Sequence, residues 1–147
     1  MIVYLDTSAF VKLVLREPGD AEVRSWFTSA RFAASSAITY PESCAAIGRR
    51  SRAQGTDASS LTTWLEQLEV SWRRTIVVPV FERRAGEVAL AHRLRGMDAV
   101  HLAAALALRE RLDVEASGER VAFAAFDRRL LEAAEREGFA TLGGQLD

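Results

Sequence analysis

Five short apolar runs, separated by helical segments, constrain the fold of this chain more than any other feature. The runs lie at residues 2–5, 32–35, 75–80, 121–125 and 139–142. Continuous apolar runs of this length are typical of strands that are buried on both faces of a sheet. Helices between successive strands imply right-handed crossovers, which place helices on both sides of a parallel sheet. The sequence therefore predicts a three-layer α/β/α fold with a central, mainly parallel sheet of four to five strands.

Capping and stop residues mark the helical segments. Pro18 and Gly19 stop the first helix, Asp20 is expected to cap the second, and Gly96 separates the two helices before the fourth strand. Pro79 has no backbone N–H to give to a sheet, so the third strand is expected to end there or to lie at an edge. The helices are predicted at residues 8–15, 20–29, 41–54, 81–94, 97–112 and 128–137, with a further helix restarting at 57–60.

Length and composition fit one soluble domain. The 147 residues are 49% hydrophobic and 27% charged, which supplies a sizeable core, and no repeat or linker divides the chain. We therefore expect a single domain over residues 1–147. No run approaches the ~20 apolar residues of a membrane span, and the N-terminus lacks the pattern of a signal peptide. The single cysteine, Cys44, is expected to be a small buried residue, which suits a reducing cytoplasm.

The basic residues are almost all arginines. The net charge is −1, so the whole molecule has no strong attraction for nucleic acid, yet 18 of the 19 basic residues are Arg. Doublets occur at residues 49–50, 73–74, 83–84 and 128–129. Two interpretations stay open: a solvated surface rich in arginine, or local contacts with phosphate, whose geometry matches a guanidinium group.

Four acids stand beside apolar sequence in similar settings. Asp6 and Asp127 directly follow apolar strands, Glu42 lies in the first turn of the helix after the second strand, and Asp98 opens a helix that is apolar nearly all round. Functional sites in open parallel sheets gather at the carboxyl ends of the strands. We therefore expect the four carboxylates to share that edge of the sheet.

Taken singly, each acid has an ordinary explanation. An aspartate at a helix start is often an N-cap or a partner of the helix dipole. Taken together, carboxylates at ~4 Å repel by about 4 kcal/mol at an effective dielectric of 20, so a cluster would take up protons or bind a cation. Ligation by oxygen alone favours Mg²⁺ or Mn²⁺, and the two histidines, His92 and His101, have no zinc-site spacing.

Three further polar residues are candidates for supporting roles. His101 lies three residues after Asp98 on the same helical face and could orient it, satisfy the core, or act as a base. Thr7 and Ser8 could donate hydrogen bonds to a carboxylate or a phosphate, and capping of the first helix explains them equally well. His92 is expected at the surface.

The motifs that contain these acids resemble those of PIN-domain nucleases, in particular the VapC toxins of bacterial toxin–antitoxin pairs. Residues 6–10 (DTSAF) resemble the opening motif, and residues 40–42 (YPE) carry the second acid. Residues 97–105 (MDAVHLAAA) and 123–130 (FAAFDRRL) resemble the third and fourth motifs. All four motifs occur in the family's order and at its approximate spacing, across nearly the whole chain.

The resemblance implies a single PIN domain that acts as a Mg²⁺- or Mn²⁺-dependent endoribonuclease. It also implies inhibition by a cognate VapB-type antitoxin, a homodimer, and phosphate contacts from arginines that border the groove. By carry-over, the metal would be held by Asp6, Glu42, Asp98 and Asp127. Ala125 departs from the pattern, because many relatives have Thr or Ser two residues before the fourth acid.

Two other functions are alternatives to the nuclease. A degenerate PIN domain could bind RNA or protein without cleavage; the four acids argue against this alternative, and Ala125 keeps it open. A metal-dependent phosphatase would use an Asp nucleophile with a second Asp two residues later, and Ser8 occupies that place after Asp6. That substitution argues against a phosphoaspartate intermediate.

Overall fold

The computed structural model describes residues 1–144, which form a sheet of five parallel strands in the order β3-β2-β1-β4-β5. The strands are β1 (Ile2–Leu5), β2 (Phe32–Ser36), β3 (Thr75–Val78), β4 (Val121–Ala125) and β5 (Ala140–Gly143). The predicted α/β class and parallel sheet are confirmed. The third strand ends before Pro79 and forms one edge of the sheet, as the missing N–H of proline requires.

Seven α-helices connect the strands within the described residues. They are α1 (Thr7–Phe10), α2 (Asp20–Ser29), α3 (Thr39–Gln54), α4 (Ala58–Arg73), α5 (Glu82–His92), α6 (Gly96–Val114) and α7 (Arg128–Arg136). None of these helices is both long and apolar enough to cross a membrane.

Two helix predictions differ from the structure. The segment predicted as one helix over 8–15 is a single α-turn that tightens into a 3₁₀ helix at Val11–Leu13, a common way to finish a short helix. Asp20 lies inside α2, whose cap position is Gly19. Its carboxylate instead contacts the side chains of Arg16 and Arg24, so the local ion pairs replace the predicted cap.

The strand β1 supplies both hydrophobic cores. Ile2 and Tyr4 face the core that contains α5, α6 and α7, and Val3 and Leu5 face the core that contains α1 to α4. All four side chains are buried, because alternate residues of a strand point to opposite faces of the sheet. The sheet is therefore covered by helices on both sides, which accounts for its continuous apolar sequence.

The strand order places a switch point beside β1. The strands β2 and β3 lie on one side of β1, and β4 and β5 lie on the other. Ligands of open α/β sheets bind in the crevice at the carboxyl ends of the strands where the order reverses. Asp6 follows β1 and Asp127 follows β4 at this crevice.

Candidate acidic site

Each of the four acids is positioned by a helix that begins at the carboxyl edge of the sheet. Asp6 directly follows β1 and caps α1, and Asp127 lies two residues after the end of β4 and caps α7. Glu42 and Asp98 lie in the first turns of α3 and α6. Asp6 and Asp127 are therefore N-caps, as the ordinary explanation expects. Any further role of the four acids depends on the side chains around them.

Asp6 is a buried carboxylate with only 4% of its surface exposed. Its Oδ1 accepts hydrogen bonds from Oγ of Ser8 at 2.7 Å and from the backbone N–H of Ala9 at 2.9 Å. Burial raises the pKa of Asp6, and the nearby charge of Asp98 raises it further, against the opposing effects of His101 and these hydrogen bonds. Asp6 is thus held in a place where its negative charge is costly.

Ser8 connects the first acid to the chain that precedes the fourth. Its Oγ donates to Asp6 and accepts the backbone N–H of Phe126 at 2.9 Å. Phe126 immediately precedes Asp127, so one hydroxyl fixes the end of β1 relative to the end of β4. Ala125, which departs from the family pattern, directly precedes Phe126. The hydrogen bond from the Phe126 N–H to Ser8 holds this segment in place through its backbone.

Glu42 accepts two hydrogen bonds on one oxygen. The Oγ1 of Thr7 donates to Oε1 of Glu42 at 2.5 Å, and Nε2 of His101 lies 3.3 Å from the same atom. Burial raises the pKa of Glu42, but the hydrogen bonds from His101 and Thr7 outweigh it and hold the pKa below its usual range. Glu42 is therefore maintained as a charged carboxylate.

His101 is buried and contacts Tyr4, Thr7 and Glu42. The structure thus gives it Glu42 as its hydrogen-bonded carboxylate, whereas helical spacing offered the orientation of Asp98 as one of three possible roles. The spacing argument missed this because Asp98 and His101 share a helix, whereas Glu42 reaches His101 from α3. His101 also lowers the pKa of Asp98, so the two groups remain neighbours.

Asp98 and Asp127 line one cleft of about 350 Å³. Burial raises the pKa of Asp98, and the charge of Asp127 raises it further, with a smaller effect from Glu42. The Oδ1 of Asp127 accepts the N–H of Leu130 at 2.9 Å, so this residue both caps α7 and faces Asp98. Arginines form much of the remaining lining: Arg93, Arg95, Arg128 and Arg129.

Within residues 1–144, no three Asp, Glu, His or Cys side chains lie close enough to enclose an ion by themselves. The four carboxylates nevertheless influence one another: Asp98 acts on Asp6, and both Asp127 and Glu42 act on Asp98. Carboxylates that repel one another are stabilised by proton uptake or by a bound cation. Asp98 and Asp127 therefore border the open cleft, and Asp6 and Glu42 lie near enough to Asp98 to interact with it electrostatically.

Sequence reasoning missed Tyr4 and misplaced His92. The Tyr4 hydroxyl lies 3.1 Å from Nδ1 of His101, and its only signal in the sequence is a hydroxyl inside an apolar strand. His92 was expected at the surface, but its side chain is 10% exposed and its Nε2 lies 2.6 Å from Oε1 of Glu137. Its partner comes from the end of α7, a proximity that spacing along the chain does not reveal.

Comparison with known proteins identifies the family of this fold and site. A family model described as PIN domain matches residues 3–136. The chain is 36% identical to Ribonuclease VapC45 and to Ribonuclease VapC49 of Mycobacterium tuberculosis, over 99% of its own length and 98% of theirs. It is 30% identical to Ribonuclease VapC47 of the same species, over 95% of both chains. The crystal structure of PAE2754 from Pyrobaculum aerophilum has a similar fold, with a TM-score of 0.65, 18% identity, and coverage of 96% of this chain and 89% of that one.

Proposed function

This chain belongs to the PIN domain family and is of the VapC type, and from that premise we propose that it is a metal-dependent endoribonuclease toxin. Relatives named as ribonucleases support the reaction class. One observation in the structure carries the proposal. Asp98 shares one cleft with Asp127, the charges of Asp127 and Glu42 raise the pKa of Asp98, and the charge of Asp98 in turn raises the pKa of Asp6.

The residues at the cleft suit a hard divalent cation. All four donors are carboxylates, and Oε2 of Glu42 and Oδ2 of Asp127 take part in no hydrogen bond among the described residues. Oxygen donors of this kind favour Mg²⁺ or Mn²⁺. We propose that the ion would be held by Asp6, Glu42, Asp98 and Asp127. When bound, it would polarise a phosphodiester and acidify a water molecule.

The remaining side chains prepare the acids for this task. Ser8 fixes the carboxylate of Asp6 and the backbone before Asp127 at the same time. Thr7 and His101 hold Glu42 in its charged form through Oε1, so its second oxygen takes part in no hydrogen bond among the described residues. Hydrogen-bonded neighbours of this kind orient ligands and maintain their basicity, and their loss costs about 10–100-fold in metal affinity or activity.

We extend the proposal to partners and place of action. The VapC names of the relatives support a VapB-type antitoxin as the inhibitory partner and RNA as the substrate. A homodimer and a cytoplasmic location are also proposed; the first rests on the family resemblance, and the second on the single cysteine and on RNA as the substrate.

The experiment that tests the function is incubation of the purified chain with total RNA and Mg²⁺ or Mn²⁺, followed by sequencing of the new RNA ends. Asp6→Asn is the inactive control, and Asp57→Asn is the matched active control, because Asp57 is an exposed helix cap at the start of α4. New ends that depend on the ion and on Asp6 support the nuclease. RNA that is bound but left intact by the unmodified chain would instead support a binding module.

A further inference from the structure

A second cavity continues the acidic cleft along α7. It is lined by His92, Arg93, Arg129, Glu132 and Arg136 and has a volume of about 250 Å³. Arg93 and Arg129 also line the cleft that contains Asp98 and Asp127, so the two cavities share a wall. We call Arg93, Arg129 and Arg136 together the arginine groove.

The guanidinium groups of this groove are available for a ligand. Arg93, Arg129 and Arg136 are exposed, and within residues 1–144 no carboxylate lies within ion-pair distance of any of them. Their neighbour Arg128 is different, because its Nε donates to Oε1 of Glu132 at 2.8 Å. Unpaired guanidinium groups on one wall present forks of donors that match phosphate oxygens.

Arg93 occupies a backbone position that favours glycine. It ends α5 with φ 53° and ψ 41°, in the left-handed region where a side chain is disfavoured. It is one of only two non-glycine residues with positive φ in the described part of the chain. Stability alone gives no reason for an arginine here, whereas a ligand in the groove does.

The negative charge of the acidic cleft opposes the binding of RNA, so cations beside the cleft would favour it. A polyanion that approaches Asp6, Glu42, Asp98 and Asp127 is repelled by four carboxylates. Cations placed directly beside the acids offset that repulsion for the phosphates that flank the reacting one. Contacts with phosphate position the strand without reading its sequence.

We propose that the arginine groove binds a phosphodiester of single-stranded RNA adjacent to the one that lies at the four acids. The proposal rests on the ribonuclease function proposed above. RNA is the occupant favoured over an acidic protein segment because the groove is continuous with the cleft and shares two of its lining residues. The groove therefore fixes the direction in which the strand leaves the cleft, along α7.

The test is binding of a fluorescent single-stranded RNA to the full chain in EDTA, measured by anisotropy at several salt concentrations. Arg129→Gln and Arg136→Gln should each weaken binding by about 3- to 10-fold at moderate salt. The slope of log Kd against log salt should become shallower by about 0.7 for each lost phosphate contact. Arg83→Gln is the matched control, because Arg83 is an exposed residue near the start of α5.

Arg93→Gly separates ligand binding from a structural role. Glycine relieves the left-handed backbone, so the Tm should stay the same or rise while RNA affinity falls. Affinities and salt slopes equal to those of Arg83→Gln in all three variants would overturn the proposal, and this is the result expected if the groove serves a protein partner.

Failure of the nuclease proposal has a different signature. In that case, the unmodified chain leaves RNA intact with Mg²⁺ or Mn²⁺ present, while the arginine variants still lose affinity in EDTA. A chain that cuts RNA, with arginine variants that bind it normally, would retain the nuclease and reject the groove.

Discussion

The hydroxyl of Tyr4 and Nδ1 of His101 lie 3.1 Å apart, and both side chains are buried. Burial and the nearby charge of Asp6 hold the pKa of Tyr4 well above its usual value, so the phenol keeps its proton and its O–H donates a hydrogen bond to Nδ1. The ring hydrogen of His101 then belongs on Nε2, which faces Thr7 and Glu42. A strand residue that sequence reasoning passed over thus sets the tautomer that supports the second acid.

Tyr4→Phe should weaken both the fold and the site. The ring remains stacked on Phe123, but Nδ1 of His101 loses its partner, which costs about 1–3 kcal/mol for a buried polar group. RNA cleavage should fall by about tenfold, because the tautomer of His101 is no longer fixed. Urea unfolding and cleavage rates check the two effects. Tyr40→Phe is the control, since the Tyr40 hydroxyl contacts Glu69 outside the site.

Thr7→Val should uncouple Glu42 from its hydrogen-bond donor while preserving the volume of the side chain. The folded-state pKa of Glu42 lies below its ordinary value of 4.5, so its interactions stabilise the fold above that pH and are lost as the pH falls through the folded-state value. The destabilisation by Thr7→Val should therefore be about 1–3 kcal/mol at neutral pH and should shrink in acid. Thr7→Ser should restore stability and cleavage; equal loss in both variants would contradict the role of the hydroxyl.

The fold could be predicted from sequence because its strands are buried on both faces. Continuous apolar runs separated by helices leave a parallel α/β sheet as the simplest arrangement, and the structure has one. Pro79 also located the edge strand correctly. The ends of the helices were harder to predict from the sequence. The ion pairs of Asp20 and the 3₁₀ turn after α1 depend on residues that are neighbours in space.

The positions of the four acids could be predicted from the sequence, whereas the hydrogen bonds that support them could not. Each acid follows a strand or opens a helix at the expected edge, which is a property of local sequence. The contacts of His101 with Tyr4 and Glu42 join residues 97 and 59 positions apart. Only the packing of α6 against the sheet brings them together, so no spacing rule could have assigned them.

Gly143→Ala should disturb the segment that carries the fourth acid. A Cβ at Gly143 would lie 2.0 Å from the carbonyl oxygen of Ala125, and φ there is +105°. The backbone two residues before Asp127 would have to shift, at a cost of about 2–4 kcal/mol. Gly55→Ala is the control: its φ is +60° with open space around the Cβ, so it should cost only about 1 kcal/mol. Thermal unfolding compares the two, and equal Tm values would contradict the clash.

Asp6→Asn should abolish cleavage without weakening the fold. Asparagine can still cap α1, and the substitution removes a buried charge. Because burial raises the folded-state pKa of Asp6 above its ordinary value of 3.8, the folded wild type loses stability as the pH rises through that interval. The variant should therefore equal or exceed the wild type in free energy of unfolding at neutral pH, with the difference shrinking in acid. A clear loss of stability at neutral pH would mean that Asp6 serves the fold more than the site.

Mn²⁺ or Mg²⁺ should raise the Tm of the wild-type chain, and above the Kd the rise should grow with the logarithm of the ion concentration. An ion that binds only the folded state stabilises it by about 2.7 kcal/mol at 100 times its Kd. Asp6→Asn and Asp98→Asn should each reduce this shift, since each removes a charge from the same cleft, whereas Asp57→Asn on the exposed cap of α4 should retain it. Differential scanning fluorimetry over a series of ion concentrations measures the shift. Equal shifts in all four proteins would place the ion elsewhere, because the loss of a carboxylate that attracts the ion must weaken binding at the cleft.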